Sequence, residues 1–228
     1  MIKRKENIFI TGAAGFIGFH LCNQLLKDNQ NSNIIGIDSL SNYYDVNLKK
    51  NRLKILKKNE NFKFFKCKLE NKLALEKIYK KFKPNIIIHL GAQAGVRYSL
   101  ENPKSYIDSN IYGSFNVLEL SNKYTPDHLL MASTSSIYGA NKKYPFSEND
   151  KTDHPLSLYA ASKKSMELLA HSYSYSFGIP ITIFRFFTVY GPWGRPDMAF
   201  FKFLDLHFRG EKIEIFNKGQ MDRDFTFI

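Results

Sequence analysis

Short continuous apolar runs alternate along this chain with longer stretches whose apolar residues recur at helical spacing. The runs are Asn7–Thr11, residues 33–37, 62–67, 85–89 and 128–133, and Ile181–Phe186, each too short for an ordinary helix. Their unbroken apolar character predicts strands covered on both faces, as in a parallel sheet. Residues 19–27, 102–124 and Leu158–Phe177 carry the 3.6-residue period instead, as do the shorter sets Leu53, Leu56 and Leu73, Leu75, Ile78, Phe82. Strand, helix and strand in repeated order imply right-handed parallel crossovers. The predicted fold is α/β, a doubly wound parallel sheet with helices on both faces.

Composition narrows this reading without redirecting it. A chain of 228 residues with 43% hydrophobic and 15% aromatic content can close one large core. No apolar run nears the ~20 residues of a membrane span. The start, Met1-Ile2-Lys3-Arg4-Lys5-Glu6, leads into a strand and not into a signal-peptide core, so a cytoplasmic protein is expected, with no membrane partner. Cys22 and Cys67 have no metal-ligand spacing, and neither a disulfide framework nor a metal site is expected. The net charge is +12, and between Lys49 and Lys83 fourteen Lys/Arg face three acids. These cations are interleaved with apolar helix positions and form no arm. The expectation is a solvated basic surface, no nucleic-acid partner, and a field that favours an anionic nucleotide substrate.

Three local patterns carry chemistry. The first strand runs directly into Gly12-Ala13-Ala14-Gly15-Phe16-Ile17-Gly18, and a helix follows. In that context Gly12 permits the tight turn, Gly15 lets the backbone approach a pyrophosphate, and Gly18 lets helix and strand pack closely. The fold expectation thereby sharpens to a Rossmann-type sheet with the pyrophosphate at the helix N-terminus. Asp38 ends the second strand, 20 residues after Gly18, where it can accept hydrogen bonds from an adenosine ribose. Its charge would repel a 2′-phosphate and Ser39 follows it, so NAD is expected over NADP.

The third pattern is Tyr159-Ala160-Ala161-Ser162-Lys163 on a predicted helix, which places phenol and ammonium on one face. A phenol ionises near pH 10, and bringing it down by roughly 3 units takes about 4 kcal/mol. A lysine and an oxidised nicotinamide are the expected cations. Thr134, at the end of the fifth strand, supplies a hydroxyl to orient a substrate alcohol whose proton Tyr159 takes, while Lys163 holds the phenolate and the nicotinamide ribose.

With these motifs the chain resembles the extended short-chain dehydrogenase/reductases. Within them it is similar to the nucleotide-sugar epimerases, and most to their UDP-glucuronate 4-epimerase branch. The narrower likeness rests on Gly91-Ala92-Gln93-Ala94-Gly95-Val96-Arg97-Tyr98-Ser99, on the run from Arg185 through Thr188-Val189-Tyr190-Gly191-Pro192-Trp193-Gly194-Arg195-Pro196-Asp197 to Ala199, and on Asp38 through Asp45. The resemblance implies NAD contacts at Gly12, Gly15, Phe16, Ile17, Gly18 and Asp38, with Asn110 near the active site and Lys163 on the nicotinamide ribose. It implies Tyr159 as the base. Thr134, Ser135, Ser136 and Thr188 would surround the sugar and its carboxylate. Arg195 would approach the substrate's charged end, with Arg97 a weaker candidate for the same work.

The resemblance also separates neighbours within the family. The 4,6-dehydratases place Asp-Glu where Ser135 and Ser136 stand here, and the UDP-glucuronate decarboxylases place Glu at the position of Ser136. It implies residues 1–187 as the cofactor domain and 188–228 as the beginning of an incomplete nucleotide-sugar domain, since relatives continue past Ile228. It further implies a homodimer paired through the helices at 102–124 and Leu158–Phe177. Two departures stand out. Lys68-Leu69 occupies the place of an adenine-contacting aspartate, and most of the uridine diphosphate site is expected to be missing. Apolar surface around residues 200–208 is then expected to be exposed.

Overall fold

A computed structural model describes residues 6–28, 31–220 and 224–228. Six strands form one parallel sheet in the order β3-β2-β1-β4-β5-β6. They are β1 (Asn7–Thr11), β2 (Asn33–Asp38), β3 (Phe62–Lys66), β4 (Ile86–His89), β5 (His128–Thr134) and β6 (Ile181–Phe186). The order reverses between β1 and β4, which pair from Ile8↔Ile86 to Thr11↔His89. Ligands of open parallel sheets bind at the carboxyl ends beside such a switch point. Thr11, Asp38, His89 and Thr134 all end strands there.

Buried β1 and β2 separate two apolar layers, as the unbroken runs predict. Phe9, Ile35 and Ile87 point into one cluster with Leu75, Val117, Leu118 and Met166. Ile8, Ile10 and Ile34 point into the other with Phe19, Leu53 and Leu56. The helices α1 (Phe16–Asp28), α2 (Val46–Leu56) and α3 (Lys72–Phe82) begin where the sequence offers start signals. Asp45 accepts from the Asn47 amide, and Asn71 accepts from the Ala74 amide.

Two expectations change. The helix predicted over residues 102–124 is not uniform: α4 (Tyr98–Glu101) and α5 (Pro103–Tyr106) lead into a π-helical turn at Ile107–Tyr112, then α6 (Gly113–Tyr124). The wide turn carries Asn110. The basic stretch is not all solvated surface either. On α2 the buried residues are Lys49, Arg52, Leu53 and Leu56, the i, i+3, i+4, i+7 stripe, so two of the cations lie inside.

The helix α7 (Leu158–Phe177) has the predicted bounds. Ser157 caps its start by accepting from the Ala160 amide, and Gly178 ends it in a left-handed conformation. Beyond β6 the chain forms β7 (Thr188–Tyr190), α8 (Ala199–Phe208) and β8 (Phe225–Phe227), with β7 and β8 paired in a separate parallel sheet. No residue of α8 is buried. Phe200, Phe201, Phe203, Leu204 and Phe208 are all exposed, which agrees with the expected open apolar surface. Among the described residues no helix is long and apolar enough to cross a membrane.

Candidate active site

The glycine turn is built by close backbone contact. Gly12 has φ +71°, and a Cβ there would lie 2.9 Å from Gly91, two residues after β4. The Gly12 carbonyl accepts from the Gly15 amide at 2.9 Å, and a Cβ on Gly18 would come within 2.2 Å of that carbonyl. The turn therefore brings the backbone of two strand ends together before α1 begins. The first-turn amides of α1, among them those of Phe16 and Ile17, have no intrahelical partners, as in any helix start, and face this end.

Asp38 lies beside the turn. Its Oδ2 accepts from the Ala14 amide at 3.2 Å and its Oδ1 from the Leu40 amide at 2.8 Å. Burial pushes its carboxyl up, opposed by these amides and by the nearby Lys49 and Arg52 cations.

A buried polar chain fixes the neighbouring strand end. Thr11 Oγ1 accepts from the Gly91 amide at 2.8 Å and meets His89 Nδ1 at 2.8 Å; His89 Nε2 meets Ser114 Oγ at 2.9 Å. Burial, with a smaller contribution from Lys163, lowers His89 to about 3, so its ring is neutral. Asn110 is fully buried. Its Oδ1 accepts from the Gln93 amide at 2.7 Å, and its Nδ2 donates to the Gln93 carbonyl at 3.0 Å and to Ser162 Oγ at 2.9 Å. Thus Asn110 ties the loop after β4 to α7 next to Lys163. The π turn makes this reach possible, and such turns recur at functional sites.

Thr134 and Tyr159 come together as the sequence predicts. The Thr134 hydroxyl lies near enough to the Tyr159 phenol to favour its ionised form. Thr134 also serves the turn that follows it, accepting from the Ser136 amide at 3.2 Å and donating to Ser136 Oγ at 3.2 Å. Ser135 and Ser136 are half-buried beside it. Tyr159 sits edge-on to the Tyr106 ring, 6.1 Å between centroids.

Lys163 has a partner of its own on β5. Its side chain is buried, and Nζ donates to the Ala132 carbonyl at 2.7 Å. Burial lowers it to about 8, against the pull of Glu167. Burial likewise pushes the Tyr159 phenol up; the Thr134 hydroxyl and the Arg195 cation pull it down.

Arg195 forks onto Asp197, Nε to Oδ1 at 3.0 Å and Nη2 to Oδ2 at 2.5 Å. Thr188 is half-buried in β7, its amide donating to the Asp224 carbonyl at 3.3 Å. Arg97 is exposed at the start of α4. Hence Gly12–Gly18, Asp38, Asn110, Thr134, Ser135, Ser136, Tyr159, Lys163 and Arg195 gather at one end of the sheet. The Lys68-Leu69 departure leaves Leu69 as buried core, its carbonyl accepting from Asn116 Nδ2 at 2.9 Å.

Sequence reasoning missed Arg52, Tyr43, Tyr44 and Asp197 as working parts. Arg52 Nη1 donates to the Ala14 carbonyl at 3.0 Å and to Tyr44 Oη at 2.9 Å. Its Nη2 donates to the carbonyls of Trp193 at 2.5 Å and Gly194 at 3.2 Å. One guanidinium thus clasps the glycine turn to the segment that carries Arg195. The signal was a pair of cations, Lys49 and Arg52, on the apolar phase of a helix.

Comparison with known proteins adds lineage to this geometry. Residues 8–228 match the Epimerase family, described as the NAD dependent epimerase/dehydratase family. Protein CapI of Staphylococcus aureus is 55% identical over 221 residues, covering 97% of this chain and 65% of that protein. The UDP-glucuronate 4-epimerase of Thermodesulfobacterium geofontis is 48% identical over 219 residues, covering 96% of this chain and 67% of that one. The crystal structure of UDP-glucuronic acid 4-epimerase from Bacillus cereus in complex with UDP-glucuronic acid and NAD superimposes with a TM-score of 0.91 at 38% identity, covering 97% of this chain and 69% of that chain. The chain thus spans about two thirds of the length of these three proteins.

Proposed function

Because the chain belongs to the NAD dependent epimerase/dehydratase family, we propose that it is the cofactor-binding and catalytic part of a nucleotide-sugar 4-epimerase. The substrate is a UDP-uronate, UDP-glucuronate converted to UDP-galacturonate through a 4-keto sugar. The observation that carries this reading is the meeting of a strand-end hydroxyl and a helical phenol, Thr134 and Tyr159, beside a glycine turn and a ribose-facing carboxylate.

The residues fit NAD. The Gly12 turn leaves backbone, and no side chain, where a pyrophosphate would approach α1. Gly12, Gly15, Phe16, Ile17 and Gly18 would hold the pyrophosphate, Asp38 the adenosine ribose, and Lys163 the nicotinamide ribose. Asn110 contributes from behind, by fixing the loop that closes this side. Bound NAD⁺ supplies a reversible hydride acceptor and a second cation.

The protein's own part is proton handling and orientation. Thr134 aligns the sugar 4-hydroxyl. Tyr159 takes its proton and later returns it to the oxygen, so the phenol ends as it began. Lys163, at about 8, keeps its proton at neutral pH. Ser135, Ser136 and Thr188 offer neutral hydroxyls to the uronate carboxylate, and Arg195 a charge. No carboxylate stands at 135 or 136 to serve as the extra acid or base of a dehydratase.

Residues 1–187 act as the cofactor domain in this reading and residues 188–228 as the start of the sugar domain. The exposed apolar residues of α7 and the turn before α6, Leu168, Tyr175, Phe177, Ile107 and Tyr112, support a homodimer through these helices. A monomer at micromolar concentration by light scattering would count against that.

A second reading is that these 228 residues bind NAD but turn nothing over by themselves. The uncovered face of α8 favours it. Remote binding of the uridine diphosphate supplies much of the positioning that hydride transfer needs. The test is incubation with UDP-glucuronate, following UDP-galacturonate, for residues 1–228 and for a chain of the relatives' full length. Product from the longer chain only supports both readings together. Product from neither, with NAD bound, refutes the 4-epimerase assignment.

A further inference from the structure

The guanidinium of Arg52 bonds in two directions at once. Nη1 donates to the Ala14 carbonyl inside the glycine turn at 3.0 Å and to Tyr44 Oη at 2.9 Å. Nη2 donates to the carbonyls of Trp193 and Gly194 at 2.5 and 3.2 Å. One nitrogen thus serves the cofactor turn and the other the segment that leads to Arg195. The group between them is planar and rigid, so neither side can shift without carrying the other or breaking a bond. It is also anchored. Arg52 is fully buried on the apolar stripe of α2 and lies over the Tyr44 ring, 5.7 Å from the centroid.

Both ends of this clasp sit where a change would be felt. Ala14 belongs to the turn that a pyrophosphate would approach, and its amide donates to Asp38 Oδ2 at 3.2 Å, the carboxylate assigned to the ribose. At the far end Trp193 has φ +59°, a left-handed backbone that a tryptophan keeps only when its surroundings hold it there. The Gly194 amide closes a tight turn on the Gly191 carbonyl at 3.1 Å, and a Cβ on Gly194 would lie 2.8 Å from the Phe201 ring of α8. Arg195 and its partner Asp197 follow directly.

We propose that Arg52 is a positioning residue that couples occupancy of the glycine turn by NAD to the order of residues 191–198, the segment that bears Arg195. The inference rests on NAD binding at the turn and not on which sugar is taken. Fixing Ala14 fixes Nη1, the rigid plane carries this to Nη2, and Trp193 is held in its left-handed state. By linkage, holding that segment raises the affinity for NAD by the same factor. Contacts from α1 leave a smaller residual coupling: His20 Nε2 meets the Pro192 carbonyl at 2.8 Å and Phe19 packs on the Trp193 ring at 5.8 Å, but neither reaches the Trp193 or Gly194 carbonyl.

The experiment is amide exchange of residues 1–228 read by mass spectrometry with and without saturating NAD, with NAD binding measured by calorimetry on the same samples. In the wild type NAD should slow exchange about tenfold across residues 12–18 and also across residues 191–198, where the Gly194 and Met198 amides are hydrogen-bonded. In Arg52→Met the slowing across residues 12–18 should persist, that across 191–198 should fall below about threefold, and NAD should bind about tenfold more weakly. If Arg52→Met does not fold, Arg52→Lys takes its place with the same expected outcome, since an ammonium keeps the charge but cannot bond both sides as a fork does. Slowing at residues 12–18 without slowing at 191–198 in the wild type would overturn the proposal and leave the cofactor assignment standing. Absence of NAD binding would overturn both. A merely structural role for Arg52 would speed exchange at 191–198 with and without NAD alike, and an unchanged NAD-dependent ratio in the variant would likewise overturn the coupling.

Discussion

Replacing Arg52 by Met tests whether one buried guanidinium holds the segment around Trp193 and Arg195 against the cofactor turn. The methionine keeps much of the apolar stem and removes the fork. Three carbonyls, those of Ala14, Trp193 and Gly194, lose a donor, as does Tyr44 Oη. Leaving a buried acceptor unsatisfied costs roughly 1–3 kcal/mol. Two effects reduce the sum. Trp193 is 38% exposed, so its carbonyl can recover water. Removing a buried cation that makes no ion pair with a carboxylate also relieves a desolvation cost. The net expectation is a loss of about 2–4 kcal/mol, a large share of the ~5–15 kcal/mol that a domain has. Much of it should appear locally around Trp193, where the remaining side-chain ties among the described residues are His20 Nε2 with the Pro192 carbonyl at 2.8 Å and Phe19 packing on Trp193 at 5.8 Å, while Tyr43 still donates to Asp197 at 3.0 Å. Urea unfolding measures the global loss, and amide exchange at residues 191–198 measures the local one. Arg52→Lys should rescue little, since an ammonium cannot reach both sides as a planar fork does. A loss under about 0.5 kcal/mol, with exchange at residues 191–198 unchanged, would refute the clasp.

Three further outcomes are expected. His89 is lowered from 6.5 to about 3 in the folded chain, so the unfolded chain takes the proton first; stability from this group is present above pH 6.5 and lost as pH falls toward 3, with a slope near 1.4 kcal/mol per unit around pH 5 that His89→Gln should remove from urea-melt series. Asp38→Ala should weaken NAD by about 1.5–3 kcal/mol, tenfold or more by calorimetry, and wild type should bind NAD more tightly than NADP; equal or tighter NADP binding would refute the ribose role. In a chain of the relatives' full length, Tyr159→Phe should abolish epimerisation while NAD binding survives, and Lys163→Met should impair both; near-normal turnover by Tyr159→Phe would remove Tyr159 as the base.

Much of the site was legible because its parts are local. A strand, a glycine turn and a helix start are contiguous in Gly12–Gly18, and only a glycine meets the φ of +71° and the contact with Gly91 that the turn requires at Gly12. Asp38 and Thr134 end apolar runs, and strand ends of a parallel sheet meet at one edge whatever the loops do. Tyr159 and Lys163 share a helix face by spacing alone. The sequence therefore determined the sheet, the dinucleotide turn and the placement of Tyr159.

The tertiary structure decided where the charges go. Which partner Lys163 takes depends on the Ala132 carbonyl, 31 positions away, and which partner Arg195 takes depends on how residues 195–197 fold back onto Tyr43. Arg52 meets Trp193 across 141 positions and Tyr43 meets Asp197 across 154. Periodicity cannot encode such distances. Lys49 and Arg52 fall on the apolar stripe of α2, and the packed chain gives each buried charge acceptors, Ser41 close by for Lys49 and the distant carbonyls of Ala14 and Trp193 for Arg52. Asn110 followed the same rule. Its position on a helix was predictable, but the π turn on which it reaches both Gln93 and Ser162 appears only in the packed chain.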